Sequence, residues 1–296
     1  MSDKLITVIT PTYNRAHTLP MCYKSLCSQT DNRFLWLIID DGSSDGTEEL
    51  VKQWINEGKI EIKYLKKSNG GKASALNVGI DNLSTIYTVC LDSDDVFYEN
   101  TVQLAIEELQ KTNDDPKCCG ILALRNNPDG SVMGRRPIPS QLKTITAYEI
   151  FLKYRLKTEL ICFYKTEILK RYRFPEFPGE KFVSPAWMQY AISTTYYFIP
   201  SWDKLCLCEY LSDGITMNKK RIIIKNPKGY TSVKKFSFNG SYHFKQMIKH
   251  GIMYDYGCIL SNDKDWLDGV KHKVLAICLR PVAYVVYIHR KNNVKI

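Results

Sequence analysis

Asp92, Ser93 and Asp94 follow a short apolar run, Ile86–Leu91, and residues two apart on an extended segment share one face. Two carboxylates held that way repel and raise one another's pKa unless a cation lies between them. Their oxygens suit a hard ion such as Mg²⁺ or Mn²⁺, which could tie the segment to a diphosphate and stabilise a departing anion. The same residues could instead form an acidic turn that caps the next helix. A second cluster, Asp40-Asp41-Gly42-Ser43-Ser44-Asp45-Gly46-Thr47, also ends an apolar run. A carboxylate there can accept a hydrogen bond from a ribose or a base N–H, or simply close a turn. The third, Asn69-Gly70-Gly71-Lys72-Ala73-Ser74-Ala75-Leu76-Asn77, offers small residues, a helix start that favours anions and a lysine for phosphate. Its plainer alternative is a glycine-opened helix with a solvated lysine.

The elements that must carry these clusters alternate. Leu5–Thr10, Phe34–Ile39, Ile60–Leu65 and Ile86–Leu91 have the apolar character of buried strands. Between and after them, Leu19–Ser28, Thr47–Asn56, Gly71–Leu83 and Asn100–Lys111 have helical patterns, the second with Ser44 or Asp45 to cap it. Repeated βαβ units predict an α/β fold with a doubly wound, mostly parallel, Rossmann-like sheet, in which ligands sit beyond the carboxyl ends of the strands. All three clusters lie where strand gives way to helix. The second half is less regular: a loop over Gly130–Pro139, a helix over Thr146–Tyr154, a strand at Leu160–Tyr164, a turn-rich Phe174–Pro185 and a last strand at Lys204–Leu211.

The 296 residues are 44% apolar and 24% charged, which excludes global disorder. Met1-Ser2-Asp3-Lys4 leads straight into a strand, with no basic segment ahead of a cleavable apolar one, and no apolar run is long enough to span a bilayer. Ten cysteines are scattered, and Cys118-Cys119 and Cys206-x-Cys208 lack zinc-site spacing, so reduced, mostly buried thiols and a cytoplasmic setting are expected. Charge divides the chain. Residues 1–213 carry 25 basic and 27 acidic residues, whereas 214–296 carry 16 and 4. A one-ended excess points to a polyanionic partner. Within the basic region Val274–Ile288 is largely apolar, broken by Arg280-Pro281 and followed by Arg290, Lys291 and Lys295. A helix or helix pair of this composition suits an anionic membrane surface, or else packs on the protein with its lysines solvated. No nucleic-acid reader motif accompanies the charge, so no nucleic-acid partner is expected.

Pro11-Thr12-Tyr13-Asn14-Arg15, Asp40–Thr47, Gly70–Ile80 and Asp92–Asp95, in that order, resemble the family 2 glycosyltransferases of GT-A fold. Phe174–Lys181 and Glu209–Gly214 resemble the capsule or surface-polysaccharide branch of that family. The resemblance implies a GT-A catalytic domain over 1–213 and a basic, largely helical extension over 214–296 that meets the membrane or the acceptor. It implies a nucleotide-sugar donor, a UDP-sugar above all, and a divalent cation, Mn²⁺ or Mg²⁺. The reaction is an inverting hexosyl or N-acetylhexosaminyl transfer to a hydroxyl of a polyprenyl-linked saccharide, at the inner face of the membrane. Carried over by motif, Thr12, Tyr13 and Arg15 line the nucleotide pocket and Asp41 contacts the base. Lys72 and Asn77 lie near the diphosphate or ribose, Asp92 contacts ribose, and Asp94 binds the metal, with Asp95 a weaker ligand. An inverting transfer needs a general base. Relatives place an acid just before the position of Trp187, where this chain has Pro185-Ala186; Glu180 is the nearest carboxylate and the expected base, with Glu176 and Asp203 behind it. That departure also admits a non-catalytic sugar-nucleotide-binding or assembly subunit.

Overall fold

The computed structural model describes residues 3–134, 136–208 and 219–293. Its strands are β1 (Ile6–Thr12), β2 (Phe34–Asp40), β3 (Ile62–Lys66), β4 (Tyr87–Cys90), β5 (Val96–Phe97), β6 (Cys118–Leu124), β7 (Leu160–Lys165), β8 (Tyr197–Pro200) and β9 (Cys206–Leu207). The helices are α1 (Leu19–Cys27), α2 (Thr47–Glu57), α3 (Lys72–Asp81), α4 (Thr101–Gln110), α5 (Thr166–Leu169), α6 (Ala186–Ile192), α7 (Lys219–Lys225), α8 (Pro227–Asn239), α9 (Phe244–Leu260) and α10 (Lys273–Asn293).

Every residue of β1, β2 and β6 is buried, as strands covered on both faces must be. The sheet order is β3-β2-β1-β4-β7-β6-β8. The first four strands are parallel; β7 runs antiparallel to both β4 and β6, and β8 is parallel to β6. Alternate side chains divide the core. Val8, Trp36, Ile38 and Val89 pack with α1, α2 and α4, whereas Ile9, Leu37, Ile39 and Leu122 pack with α3, α6 and α8. On the first face Trp36 and Trp54 stack with Tyr23, whose ring lies 4.3 Å from that of Trp54.

Register explains why distant clusters meet. Thr12 pairs with Asp40 and Asp40 with Lys66, so β1, β2 and β3 end on one line. The Leu91 N–H reaches the Ile9 carbonyl, which carries Asp92 to the same edge. Because β7 is antiparallel, its amino end lies there too, and Leu124 pairing with Leu160 adds Arg125 and Glu159. The mostly parallel α/β fold expected from the sequence is present, but β6 and β8 lie outside the alternating pattern read there.

Three expectations are refined. The helix over Thr146–Tyr154 contains a π-turn, Glu149–Lys153, closed by the Tyr154 N–H on the Glu149 carbonyl at 2.8 Å. Such a turn inserts one residue and re-aims the side chains on it. Arg280-Pro281 does not divide the last segment: α10 runs unbroken with Pro281 inside it. Pro281 is exposed, so the carbonyl it leaves without a donor faces water rather than core. Of the strand expected at Lys204–Leu211, Cys206–Leu207 is extended among the described residues; Glu209–Leu211, the Glu209–Gly214 motif and the 213/214 boundary lie outside them.

Candidate active site

The loops at the strand tips fasten one another. Asn14, in the left-handed region at φ 52°, donates its N–H to Ser43 Oγ at 2.9 Å and accepts the Ser44 N–H at 2.8 Å. Asp45 accepts the N–H groups of Ala16 and Thr47 and so ties the loop ahead of α2, but the N-cap of that helix is Gly46, without a side-chain cap, rather than Ser44 or Asp45. Asp40 accepts the Ser43 N–H and the Tyr64 hydroxyl. Much of the second acidic cluster is therefore spent on holding two loops together.

A cavity of about 750 Å³ opens over these tips. Thr12, Tyr13, Arg15, Asp41, Lys72, Asp92 and Asp94 all line it, and so do Asp95, Arg125 and Glu159. Asp41 does so with its carboxylate already engaged: Lys67 and Asn69 side chains and the Gly70 and Gly71 N–H groups donate to it at 2.6–3.1 Å. Four donors fill the lone pairs a carboxylate offers. Asp41 thus fixes the glycine turn ahead of α3, and a contact from it to a base would require one of those bonds to be exchanged.

Asp92 accepts from Lys72 Nζ at 2.6 Å and lies 3.5 Å from Arg125, which binds Asp95 directly. Burial opposes the charge on Asp92, yet Lys72 and Arg125 outweigh it and hold the carboxyl below its ordinary range. Burial pushes Asp95 up, with the Arg125 guanidinium pulling the other way. Asp94 differs from both. Among the described residues no cation is paired with it and no other residue donates to it. Burial first, and then repulsion from Asp92, raise its carboxyl above the usual value, and Lys72 and Arg15 offset this only in part.

The three carboxylates offer oxygens within 4.8 Å of one another. With Asp92 and Asp95 paired with the chain's own cations, Asp94 is the carboxylate that could ligate a divalent ion. That fits Mg²⁺-like sites, which use one or two carboxylates and take further ligands from substrate phosphates and water. A second grouping, Asp95 with Cys206 and Cys208, has Arg125 Nη1 3.4 Å from Cys208 Sγ, and a guanidinium there opposes a bound cation. All ten cysteines are free thiols.

Two expected site residues are not at the cavity. Asn77 is 1% exposed, donates to the Phe174 carbonyl and to Glu176, and accepts the Phe174 N–H. Five positions beyond Lys72 on a helix is about 140° round the axis, so it faces away from the side on which Lys72 meets the cavity and pins the Phe174–Glu176 segment instead. Glu180 accepts the Lys228 and Gly229 N–H groups at 2.9 and 2.8 Å, at the start of α8. A carboxylate there satisfies orphan donors and complements the helix dipole. Glu180 is a clasp between the sheet domain and the C-terminal helices. Ser184, Pro185 and Ala186 do line the cavity, at the place where an acid was expected.

The same clasp explains two glycines. A Cβ on Gly71, at φ +91°, would lie 1.8 Å from the Lys181 carbonyl oxygen, and one on Gly229 would lie 2.1 Å from that of Phe182. The 180–182 loop is gripped from both sides by backbone that only glycine allows. We expect Glu180→Gln to lower the melting temperature by the worth of a cap, about 1 kcal/mol, and to leave turnover within about threefold of the parent, which is under 1 kcal/mol of barrier. A hundredfold loss of turnover with stability intact would return the base role to Glu180.

Arg125, Glu159, Tyr190, Tyr230, Lys234 and His250 also line the cavity and were not singled out from sequence. Arg125 had a faint signal, a basic residue ending the apolar run Cys118–Leu124. Its value depends on β6 lying two strands from β4, across β7, which no local pattern states.

Comparison with known proteins agrees with this geometry. The family model for glycosyl transferase family 2 matches residues 7–173. An uncharacterized glycosyltransferase of Rickettsia conorii is 40% identical over 113 residues, 38% of this chain and 18% of that protein. Chondroitin synthase of Pasteurella multocida is 35% identical over 131 residues, 44% of this chain and 13% of the synthase. The chain therefore spans under a fifth of the length of either relative. Among solved structures, S. aureus TarS superposes over 97% of this chain and 54% of its own with a TM-score of 0.61 at 17% identity. A mannosyltransferase of Pyrobaculum calidifontis solved with GDP-Man and Mn²⁺ gives 0.54 at 16% identity, covering 96% of this chain and 86% of that one. The shared fold is GT-A, and with a family match over more than half its length, this chain belongs to glycosyl transferase family 2.

Proposed function

We propose that this chain transfers a sugar, with inversion, from a nucleotide-sugar to a hydroxyl of a lipid-linked saccharide in surface-polysaccharide synthesis. The observation that carries the reading is Asp94, a partly buried carboxylate that no cation among the described residues pairs with, at strand tips that also present Arg15 and Lys72 to the cavity. A UDP-sugar is the first donor to try, because TarS has been solved with UDP-GlcNAc; GDP-mannose is the second, from the mannosyltransferase complex. A hexosyl and an N-acetylhexosaminyl unit are thereby both under test.

Asp94 would hold Mn²⁺ or Mg²⁺, which when bound offsets the charge of the departing nucleoside diphosphate. Thr12, Tyr13 and Arg15 line the nucleotide end, and Lys72, held on Asp92, can turn to the diphosphate as it arrives. The acceptor oxygen bonds to the anomeric carbon as that carbon's bond to the diphosphate oxygen breaks, and its proton passes to a carboxylate. We assign that proton to Glu159, which lines the cavity at the amino end of β7, in place of Glu180. A general base contributes about 10²–10⁴-fold. Glu159→Gln is therefore expected to cut transfer by at least about a hundredfold while nucleotide binding persists. Unchanged turnover would remove Glu159 from the mechanism.

The test of the whole reading is product formation from UDP-GlcNAc, UDP-glucose and GDP-mannose with Mn²⁺, on saccharide acceptors. Nucleotide binding without any transfer would favour the non-catalytic subunit, for which the Ser184-Pro185-Ala186 lining is the supporting observation.

An anionic membrane is the partner we assign to α10. No helix among the described residues is long and apolar enough to cross a bilayer. Yet Val274, Ile277, Val285 and Ile288 are 77, 53, 66 and 46% exposed, and Lys271, Lys273, Arg290 and Lys291 flank them. An apolar stripe between basic ends can lie in the headgroup region, each basic residue contributing about 1 kcal/mol near anionic lipid. Ile277→Glu with Val285→Glu is expected to weaken co-sedimentation with phosphatidylglycerol-containing vesicles at least about tenfold, since each apolar side chain withdrawn from lipid costs about 1.5–3 kcal/mol. Equal binding by parent and variant would exclude α10 as the contact.

A further inference from the structure

Away from the strand tips the cavity wall becomes aromatic. The π-turn Glu149–Lys153 places Phe151 and Leu152 on it, and Tyr190 of α6 lines it beside them. A π-turn turns side chains out of the regular helical pattern and recurs at functional sites for that reason. The Phe151 ring lies 5.9 Å from that of Tyr190. Tyr190 is braced in turn by Tyr148 at 5.1 Å and by Phe236 of α8, stacked on it at 6.0 Å. A Cβ on Gly240, at the end of α8, would run into the Tyr148 ring, so the π-turn and the helical wall are in direct contact. This aromatic floor is set before any ligand arrives.

His250, on α9, adds a polar group to the same cavity. Its Nδ1 is buried and has no hydrogen-bond partner among the described residues. Burial, then Lys234 and Lys249, lower His250 to about 4, so at neutral pH the imidazole is neutral, one nitrogen accepting and the other donating. A buried polar atom left without a partner is costly, and a ligand that supplies one recovers that cost. An apolar ring face near a single polar group matches a pyranose, which has a C–H face and a rim of hydroxyls. A hydroxyl both donates and accepts, so it suits either tautomer of His250. We propose that Phe151, Tyr190 and His250 form the subsite for the acceptor's sugar ring, which lays its C–H face on Phe151 and hydrogen-bonds His250 through a hydroxyl. That this ring belongs to the acceptor rests on the reading above, which places the donor at the strand tips.

The probes are the methyl β-glycosides of glucose, galactose and N-acetylglucosamine, with sorbitol as a polyol that has no ring. Each is titrated into the full chain with and without saturating UDP and Mn²⁺. At least one glycoside should bind beside UDP, about tenfold or more tightly than sorbitol. Phe151→Leu and His250→Phe should each weaken it about three- to tenfold, the worth of one ring face or one hydrogen bond. Phe151→Tyr and His250→Asn, which keep the ring and a polar atom, should restore most of the binding. UDP affinity should stay at the parent value in all four variants. His250→Phe should also melt no lower than the parent, because it removes an unpartnered polar atom. Failure of all three glycosides to bind would overturn the proposal, as would equal binding of sorbitol or competition with UDP. Competition with UDP-GlcNAc but not with UDP would give the ring to the donor and overturn the acceptor assignment. Loss of glycoside and UDP binding together in both weakened variants would show a structural role only and overturn it too. If UDP fails to bind the parent, the donor reading falls by itself; glycoside binding that both substitutions weaken would still support a sugar subsite.

Discussion

Asp94→Ala is expected to lower sugar transfer by about 10²–10³, the cost of removing a group that stabilises developing charge in a sheltered site, while its melting temperature stays level or rises. The two halves of that expectation have one cause. Asp94 has no cation in the described chain, and burial together with Asp92 makes its charge unfavourable in the empty protein. Removing it relieves repulsion and, among the described residues, deletes only the bond to its own backbone N–H. Asp92 and Asp95 remain held by Lys72 and Arg125, so the strand tips keep their arrangement. The parent should gain stability from UDP with Mn²⁺, because a ligand that binds only the folded state raises its melting point, and the variant should not. Turnover assays and thermal melts with and without the ion check both halves. Metal-independent transfer at the parent rate would sink the assignment.

Arg125→Met should do the reverse, damaging the fold before the chemistry can be measured. Arg125 is 14% exposed at its side chain and Asp95 5%, so removing the guanidinium strands one buried carboxylate and leaves Asp92 with Lys72 alone. Breaking a buried pair from one side costs about 3–5 kcal/mol. At about 2–4 °C per kcal/mol for domains somewhat smaller than this one, the melting temperature should fall by roughly 10 °C near pH 8. The loss should shrink in acid. Without Arg125, burial holds the folded-state pKa of Asp95 above its unfolded value, so the folded protein takes up the proton more readily. The penalty is complete above the folded pKa and disappears as pH falls toward the unfolded value, about 4. Melts of parent and variant between pH 5 and 8 measure this directly. A pH-independent difference would mean that packing, not charge, explains the loss.

The two substitutions separate roles that look alike in sequence, where three aspartates stand within four residues. Asp92 and Asp95 are held by Lys72 and Arg125, and Asp94 is the one we assign to a ligand. The same division runs through the other motifs. Asp41 and Asp45 close loops, Asn77 pins a segment behind α3, and Glu180 caps α8.

The sequence by itself determined the alternation of strand and helix over the first hundred or so residues and the gathering of acidic and glycine-rich clusters at strand ends. It could do so because periodicity and turn chemistry act over a few residues and are written locally. It also determined the basic character of the C-terminal helices. Only the tertiary structure decided that β7 turns antiparallel and brings Arg125 and Glu159 to the site, since strand order depends on contacts scores of residues apart. Only packing could show that Glu180 faces a helix start while Lys234 and His250 enter the cavity. A carboxylate's role is set by which donors reach it, and those donors lie on other elements.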